Sequence, residues 1–255
     1  MGTNHEIRGV LFDLDGTIYQ GDHLIDGVLE TLGGLADRQI PYRFVTNTTS
    51  KPRQQVVAKL KTLGIEVPVD SIFTAPAVAH RFLVEHGLRR CFFLIKPSLL
   101  ADFPGIEAVE EDPEAVVIGD LGDQFGYNNL NLAFEFLLND ARFLTLARNR
   151  YFKKKGKLSL DVGPFVAALE YATQREAELL GKPSATFYHE AVASMDLAPD
   201  QVAMIGDDLE GDVLGSQEAG LHGLAVRTGK FQSDDDGNQV ESIESVAALG
   251  KWLGW

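Results

Sequence analysis

Val10, Leu11 and Phe12 form a strand-forming apolar run that meets Asp13, passes Leu14, and meets Asp15, with Gly16 and Thr17 directly after. A strand buried on both faces reads as an unbroken apolar run, the pattern of a parallel sheet flanked by helices. In open sheets of that kind, ligands sit just beyond the carboxyl ends of the strands, where both acids would fall. The competing reading is an Asp-Gly turn closing a hairpin, with Asp15 as turn former.

Two carboxylates at this spacing suit phosphoryl transfer through a covalent intermediate. One attacks phosphorus; the other protonates the leaving oxygen and later takes a proton from the attacking water. Two close acids repel each other and an anionic substrate, so a hard cation is expected. Mg²⁺, which accepts a few carboxylates together with phosphate and water oxygens, is the natural choice.

Further along, strand-like runs alternate with helical periodicity, predicting an α/β fold with a parallel sheet and crossover helices. Residues 20–22 read as the tip of a turn or flap, and Val28, Leu32, Leu35 and Ala36 as one helix face. Residues 41–45 predict a second strand, which runs into Thr46, Asn47, Thr48, Thr49 and Ser50. The next helix carries Val56, Leu60 and Leu63 and stops at Gly64. The hydroxyl-rich link has two readings: a phosphate cradle at a helix N-terminus, or helix capping, which is the commoner use of Ser and Thr.

A second α/β set is expected from Arg81 to Thr173, with apolar runs at 91–95, 115–118 and 143–147. A helix between the last two starts near Asn128 or Asn129 and uses Leu130, Phe134, Leu137 and Leu138. Asp120 and Asp123 stand among glycines and read as turn residues at least as readily as site residues. The KKKGK stretch at 153–157 reads as a solvated hairpin tip, with attraction of an anionic substrate as the alternative. The first pattern resumes near Glu178. Lys182, set between an apolar run and a helix start at Pro183 and Ser184, is a candidate point charge for phosphate. Residues 202–205 then predict a strand ending in Gly206, Asp207, Asp208, Leu209, Glu210, Gly211 and Asp212. Hard-cation sites gather carboxylates from neighbouring strand ends, so this second acidic cluster supports the first. A helix cap accounts for Asp212 but leaves Asp207 and Asp208 unexplained. A later strand, 224–226, leads to Arg227, Thr228 and Gly229.

At 255 residues, with 45% hydrophobic side chains, the chain can bury a sizeable core in one large domain or two modest ones. Its net charge of −14 argues against partnership with nucleic acid or an anionic membrane surface. The single cysteine, Cys91, excludes an internal disulfide and reads as a packing residue. No signal-like or membrane-spanning run is seen, and a cytoplasmic location is expected. His5, His23, His80, His86 and His222 lack metal-ligand spacing, and Asp234 to Asp236 read as a solvated loop. Trp252 and Trp255 read as packed on the core, with a homodimer contact as the alternative.

The segments DLDGT, VTNTTS, GKP and GDDLEGD, in that order and in those strand contexts, resemble the four motifs of the haloacid dehalogenase superfamily. The stretch from Thr46 to Lys182 is far longer than that from Asp13 to Thr46, as in the subclass with an inserted C2-type α/β cap. DGTIYQG, GPFVAALEYAT and GDDLEGDVLGSQEAGL further resemble the NagD-like phosphatases of that subclass. The resemblance implies a Rossmann-like doubly wound parallel-sheet core at 1–80 and 178–255, with the cap at 81–177. It implies a Mg²⁺-dependent phosphatase for small phosphomonoester, pyrophosphate or P–N substrates, acting through an aspartyl-phosphate. Asp13 would be nucleophile and metal ligand, and Asp15 the general acid/base, touching the metal through its main-chain carbonyl. Thr46 and Asn47 would hold the phosphoryl group, Lys182 would neutralise it, and Asp207 would complete the metal site. Asp208 and Asp212 would orient metal-bound waters. An acid at position 15 sides with phosphatases and phosphomutases, because dehalogenases of the superfamily lack it and ion-pumping ATPases have Thr there. A phosphotransferase or mutase, or a phosphate-binding regulatory module, are the alternatives. The cap sequence Arg148, Asn149, Arg150 and Tyr151 departs from the Asn-Pro-Asp-like turn of many NagD-like proteins, and Asn149 and Arg150 either face the site or form an exposed turn.

Overall fold

The computed structural model describes residues 6–154, 157–231 and 240–255. The chain forms two compact units. One comprises the chain up to Thr46, Gln54–Phe73 and Lys182 onward; the other comprises Asn47–Arg53 and Thr74–Gly181.

The first unit opens with β1 (Gly9–Asp13), buried at every position as its apolar run requires. A small antiparallel flap follows, β2 (Tyr19–Gln20) and β3 (His23–Leu24), turning at Gly21 and Asp22 where a turn is expected. Helix α1 (Val28–Asp37) buries Val28, Thr31, Leu32 and Leu35, whereas Ala36 is exposed. Thr31 takes the inward place because its hydroxyl finds a buried acceptor, the Val246 carbonyl, at 3.1 Å. Next come β4 (Tyr42–Thr46), α2 (Arg53–Thr62), which buries Val56 and Leu60, and β5 (Ile72–Thr74).

In the second unit, the Thr74 hydroxyl caps α3 (Ala75–Glu85) by accepting from the Ala77 N–H. Then follow β6 (Arg90–Leu94), β7 (Glu107–Ala108), β8 (Ala115–Ile118), α4 (Tyr127–Leu138), β9 (Arg142–Thr145), β10 (Tyr151–Lys154), β11 (Lys157–Leu160), α5 (Gly163–Thr173) and β12 (Glu178–Leu179). The main sheet is parallel, in the order β12-β9-β8-β6-β7, and β10 with β11 forms a separate antiparallel hairpin. Its two faces are covered separately. Ala79, Phe82, Cys91 and Val117 belong to one cluster, and Phe92, Val116, Ala133 and Val166 to the other. Helix α4 packs Leu130, Phe134 and Leu137 into the second cluster as expected, with Ala133 buried beside them, and leaves Leu138 exposed.

Both expected unit boundaries move. Ala75, Ala79, Phe82 and Leu83 of α3 pack into the second unit although they precede or adjoin residue 81. At the other end, β12 pairs with β9, so Glu178 and Leu179 belong to the second sheet and the first unit resumes at Lys182.

The returning chain adds α6 (Ala185–Ala193), β13 (Val202–Gly206), a π-helical turn at Leu209–Leu214, α7 (Gly215–Glu218), β14 (His222–Val226), β15 (Ser242–Ile243) and α8 (Leu249–Trp252). The first unit's sheet is then complete in the order β15-β14-β13-β1-β4-β5. The strand pairs β1–β4, β1–β13, β13–β14 and β14–β15 are all parallel. Leu32, Phe44, Val56, Leu60 and Leu249 lie in the same core cluster as Val10 and Phe12 of β1. Trp252 and Trp255 are partly buried against it, as expected; the Trp252 indole donates to Glu241, and Arg38 lies over the Trp255 ring. No helix among the described residues is long and apolar enough to cross a membrane.

Candidate active site

Register builds the site. Phe12 pairs with Ile205 of β13, and Asp13 with Val45 of β4, so the carboxyl ends of three strands lie side by side. Asp13 ends β1, Thr46 ends β4, and Asp207 directly follows β13. β1 stands where the sheet divides into β13, β14 and β15 on one side and β4 and β5 on the other, the position at which open α/β sheets bind ligands.

Asp13, Asp207 and Asp212 are buried there, and a carboxylate oxygen from each lies within 4.8 Å of the others'. The buried Lys182 ammonium donates to Asp13 Oδ1 and Asp212 Oδ1, both at 2.6 Å. Asp212 Oδ2 accepts from the Asp208 N–H at 3.1 Å. The chain makes room for this by having no side chain at Gly206, where a Cβ would come within 2.2 Å of Asp212 Oδ2. Asp208 Oδ1 caps the π-helical turn by accepting from the Gly211 N–H at 2.9 Å, and the Tyr188 hydroxyl donates to the Gly211 carbonyl. The capping role that sequence offered to Asp212 therefore falls to Asp208, which frees Asp212 to reach Lys182.

Crowding out of water raises two of these acids. Burial pushes the Asp13 carboxyl up to about 8; Lys182 opposes the shift, and Asp212 and Asp207 reinforce it. Asp207 is pushed up to about 6, again chiefly by burial, against the donation it receives from the Lys230 N–H. Burial disfavours the Lys182 ammonium, but Asp13 and Asp212 outweigh it and hold the ammonium above its usual range. Asp207 Oδ1 is buried without a hydrogen-bond partner. A buried carboxylate oxygen left orphaned beside two more carboxylates is what a hard divalent cation would satisfy, so the residues fit Mg²⁺.

Asp15 is exposed and stands outside the three-carboxylate cluster. Its backbone bridges to Tyr19, and the Gly16 N–H donates to the Tyr19 carbonyl at 2.7 Å, so the Asp-Gly pair is both a tight turn and an approach to the site. Tyr19 feels both acids: burial first, then Asp15 and Asp13, push its hydroxyl up to about 12. The Lys59 ammonium lies 3.6 Å from the centre of the Tyr19 ring.

Thr46 is half-buried at the end of β4. Asn47 belongs to the second unit, where its Oδ1 would lie 3.0 Å from a Cβ at Gly181. At the first residue of α2, the Arg53 N–H donates to Asp102 Oδ2 at 2.9 Å, so a carboxylate invisible to local pattern takes a donor that the hydroxyl run was expected to cap. Asp120 is a turn residue: Oδ1 accepts from the Gly122 N–H, and Oδ2 from the Lys96 ammonium. Arg148, Asn149 and Arg150 are exposed; Arg148 pairs with Glu170, and the Asn149 and Arg150 carbonyls accept from the Gly163 and Asp161 N–H groups. Burial and Glu114 push the Cys91 thiol up to about 12, as a packing residue requires. His80, His86 and His222 bond main-chain carbonyls. His5, the centre of the KKKGK stretch and Asp234 to Asp236 lie outside the described residues.

Sequence reasoning named Arg227, Thr228 and Gly229 after β14 but gave them no role, and did not reach Lys230. The Lys230 N–H donates to Asp207 Oδ2 at 2.6 Å, its ammonium lies 3.1 Å from Asp208 Oδ2, and the Thr228 hydroxyl donates to the Gly16 carbonyl. A polar Arg-Thr-Gly-Lys directly after a buried strand was the available signal.

Known proteins resemble this chain along its length. A family profile described as haloacid dehalogenase-like hydrolase matches residues 10–106, and one described as HAD-hydrolase-like matches residues 179–248. Haloacid dehalogenase-like hydrolase domain-containing protein 2 of Bos taurus is 42% identical over 236 residues, covering 92% of this chain and 90% of the relative. The human phospholysine phosphohistidine inorganic pyrophosphate phosphatase is 39% identical over 237 residues, covering 90% of this chain and 86% of its own length. Among solved structures, the 4-nitrophenylphosphatase of Thermotoga maritima superposes with a TM-score of 0.88 at 27% identity, covering 98% of this chain and 99% of that one.

Proposed function

The chain belongs to the haloacid dehalogenase-like hydrolase family, and on that premise we propose that it is a Mg²⁺-dependent phosphatase of small phosphorylated compounds, acting through an aspartyl-phosphate on Asp13. The observation that carries this reading is the buried trio Asp13, Asp207 and Asp212, with Lys182 bridging Asp13 and Asp212, at a strand end where an anion would otherwise be repelled. Phosphatase activity also follows from the relatives: one is named for phospholysine, phosphohistidine and pyrophosphate, and a structural neighbour for 4-nitrophenyl phosphate.

Asp13, Asp207 and the Asp15 main-chain carbonyl would hold the cation, and Asp208 and Asp212 would orient its waters. When bound, Mg²⁺ neutralises the carboxylates and the phosphoryl oxygens. Asp13 attacks phosphorus; the bond to the leaving oxygen or nitrogen breaks, and Asp15 delivers a proton to the leaving atom. Asp15 then takes a proton from water as that water attacks the aspartyl-phosphate, restoring Asp13 and releasing phosphate. Lys182 favours the anionic form of Asp13 and neutralises the phosphoryl group, which Thr46 and Asn47 hold by hydrogen bonds. The second unit serves as the cap that selects the substrate.

The test is phosphate release from phosphomonoesters, pyrophosphate and phosphoramidates, with Mg²⁺ and with chelator, using Asp13→Asn as the blank. Metal-dependent release abolished by the substitution is expected. Release that survives in Asp13→Asn would overturn the covalent route.

A further inference from the structure

We propose that Thr228, Gly229 and Lys230 form a backbone clasp that positions Asp207 for the cation, an inference that rests on the reading of Asp207 as a metal carboxylate. Four observations converge on it. The Lys230 N–H holds Asp207 Oδ2 at 2.6 Å, while Oδ1 of the same carboxylate is buried without a hydrogen-bond partner. One oxygen is fixed by the protein and the other is left for a ligand. The Thr228 hydroxyl donates to the carbonyl of Gly16, tying the strand end after β14 to the loop after Asp15. Gly229, at φ +70°, leaves no room for a side chain: a Cβ there would lie 2.0 Å from Asp207 Oδ2 and 2.7 Å from Gly16 Cα. Gly16, at φ +95°, closes from the other side, its Cβ position 2.2 Å from the same oxygen.

Asp207 is thus gripped between two glycine backbones, with its rotamer set by one amide donor. Holding a carboxylate in place before the ligand arrives removes an ordering cost from binding, and such supporting contacts typically contribute about 10–100-fold in metal affinity. Thr228, Gly229 and Lys230 are therefore positioning residues. They act on the cation through Asp207, by main-chain contact and by what is missing at position 229.

The experiment measures Mg²⁺ binding without turnover. For wild type, Gly229→Ala, Thr228→Val, Thr228→Ser and Gly64→Ala, the half-saturating Mg²⁺ concentration is determined by calorimetric titration. Gly64 has a similar positive φ, +89°, but nothing within 4 Å of its Cβ position, so its substitution strains the backbone without touching Asp207. The half-saturating Mg²⁺ concentration is expected to rise at least about tenfold in Gly229→Ala and several-fold in Thr228→Val, to return toward wild type in Thr228→Ser, and to stay within about twofold of wild type in Gly64→Ala. If Gly229→Ala does not fold, the Thr228 pair decides. Wild-type Mg²⁺ affinity in Gly229→Ala or in Thr228→Val, or the same loss in Gly64→Ala, would overturn the clasp. A wild-type protein that binds no Mg²⁺ at all would instead overturn the metal reading on which it rests.

Discussion

Lys182 Nζ and Asp13 Oδ1 stand 2.6 Å apart with both side chains almost wholly withdrawn from water. Such a pair is costly to assemble and costlier to break, because removing one partner strands the other's charge. Lys182→Met is expected to lower stability in chelator by about 3–5 kcal/mol and to abolish phosphate release. Lys182→Arg should not restore activity, since a planar guanidinium cannot replace a compact ammonium between two carboxylates. Denaturant unfolding with and without Mg²⁺ checks the first expectation, and phosphate release the second.

The pH dependence has a definite sign. Asp13 and Asp207 are raised from 3.8 to about 8 and about 6, so the metal-free native state keeps protons that the unfolded chain has released. Their contribution to stability is fully present below the unfolded value and is lost as pH rises from about 4 to about 8. Mg²⁺ needs the deprotonated forms, so its apparent affinity should climb over the upper part of the same range and level off above about pH 8, with protons released on binding. Calorimetric titration in two buffers of different ionisation enthalpy measures that release. An affinity that does not change between pH 6 and pH 8 would count against the expectation.

Asp15 stands outside the buried trio, which suits proton traffic with a leaving group and with water. Asp15→Asn is expected to slow turnover of poor leaving groups by about 10²–10⁴-fold and to affect phosphorylation by 4-nitrophenyl phosphate much less, because that leaving group departs without a proton. With the base also gone, the aspartyl-phosphate should accumulate, visible as one added phosphate by intact-protein mass spectrometry.

Gly206→Ala places a methyl group against Asp212 in a site with no slack. Overpacking of this kind costs about 1–3 kcal/mol and should push Asp212 away from Lys182. Lower activity together with a lower melting temperature is expected, and Asp212→Ala in the same background should recover part of the lost stability.

Much of this arrangement was legible in the sequence because strand ends advertise themselves. An apolar run ending in acids placed Asp13 and Asp207, and register then brought them together. Asp212 was harder. Its reach to Lys182 depends on a π-helical turn capped by Asp208 and on the missing side chain at Gly206, which no periodicity reveals. The unit boundaries were missed for a related reason: β12 is two residues long, and its membership of the second sheet is decided by pairing with β9 rather than by anything local. Asp102 and Lys230 act through contacts distant in sequence, which local pattern cannot supply.

The place of β1 in its sheet sets an order of assembly during synthesis. One neighbour, β4, is translated soon after it, but the other, β13, follows only after the whole second unit has been made. A nascent chain can therefore complete the second unit while β1 still presents an open edge carrying Asp13. Asp207 and the segment that contacts it are made only after the second unit, so a chain truncated before β13 would carry Asp13 without the carboxylates that accompany it in the site.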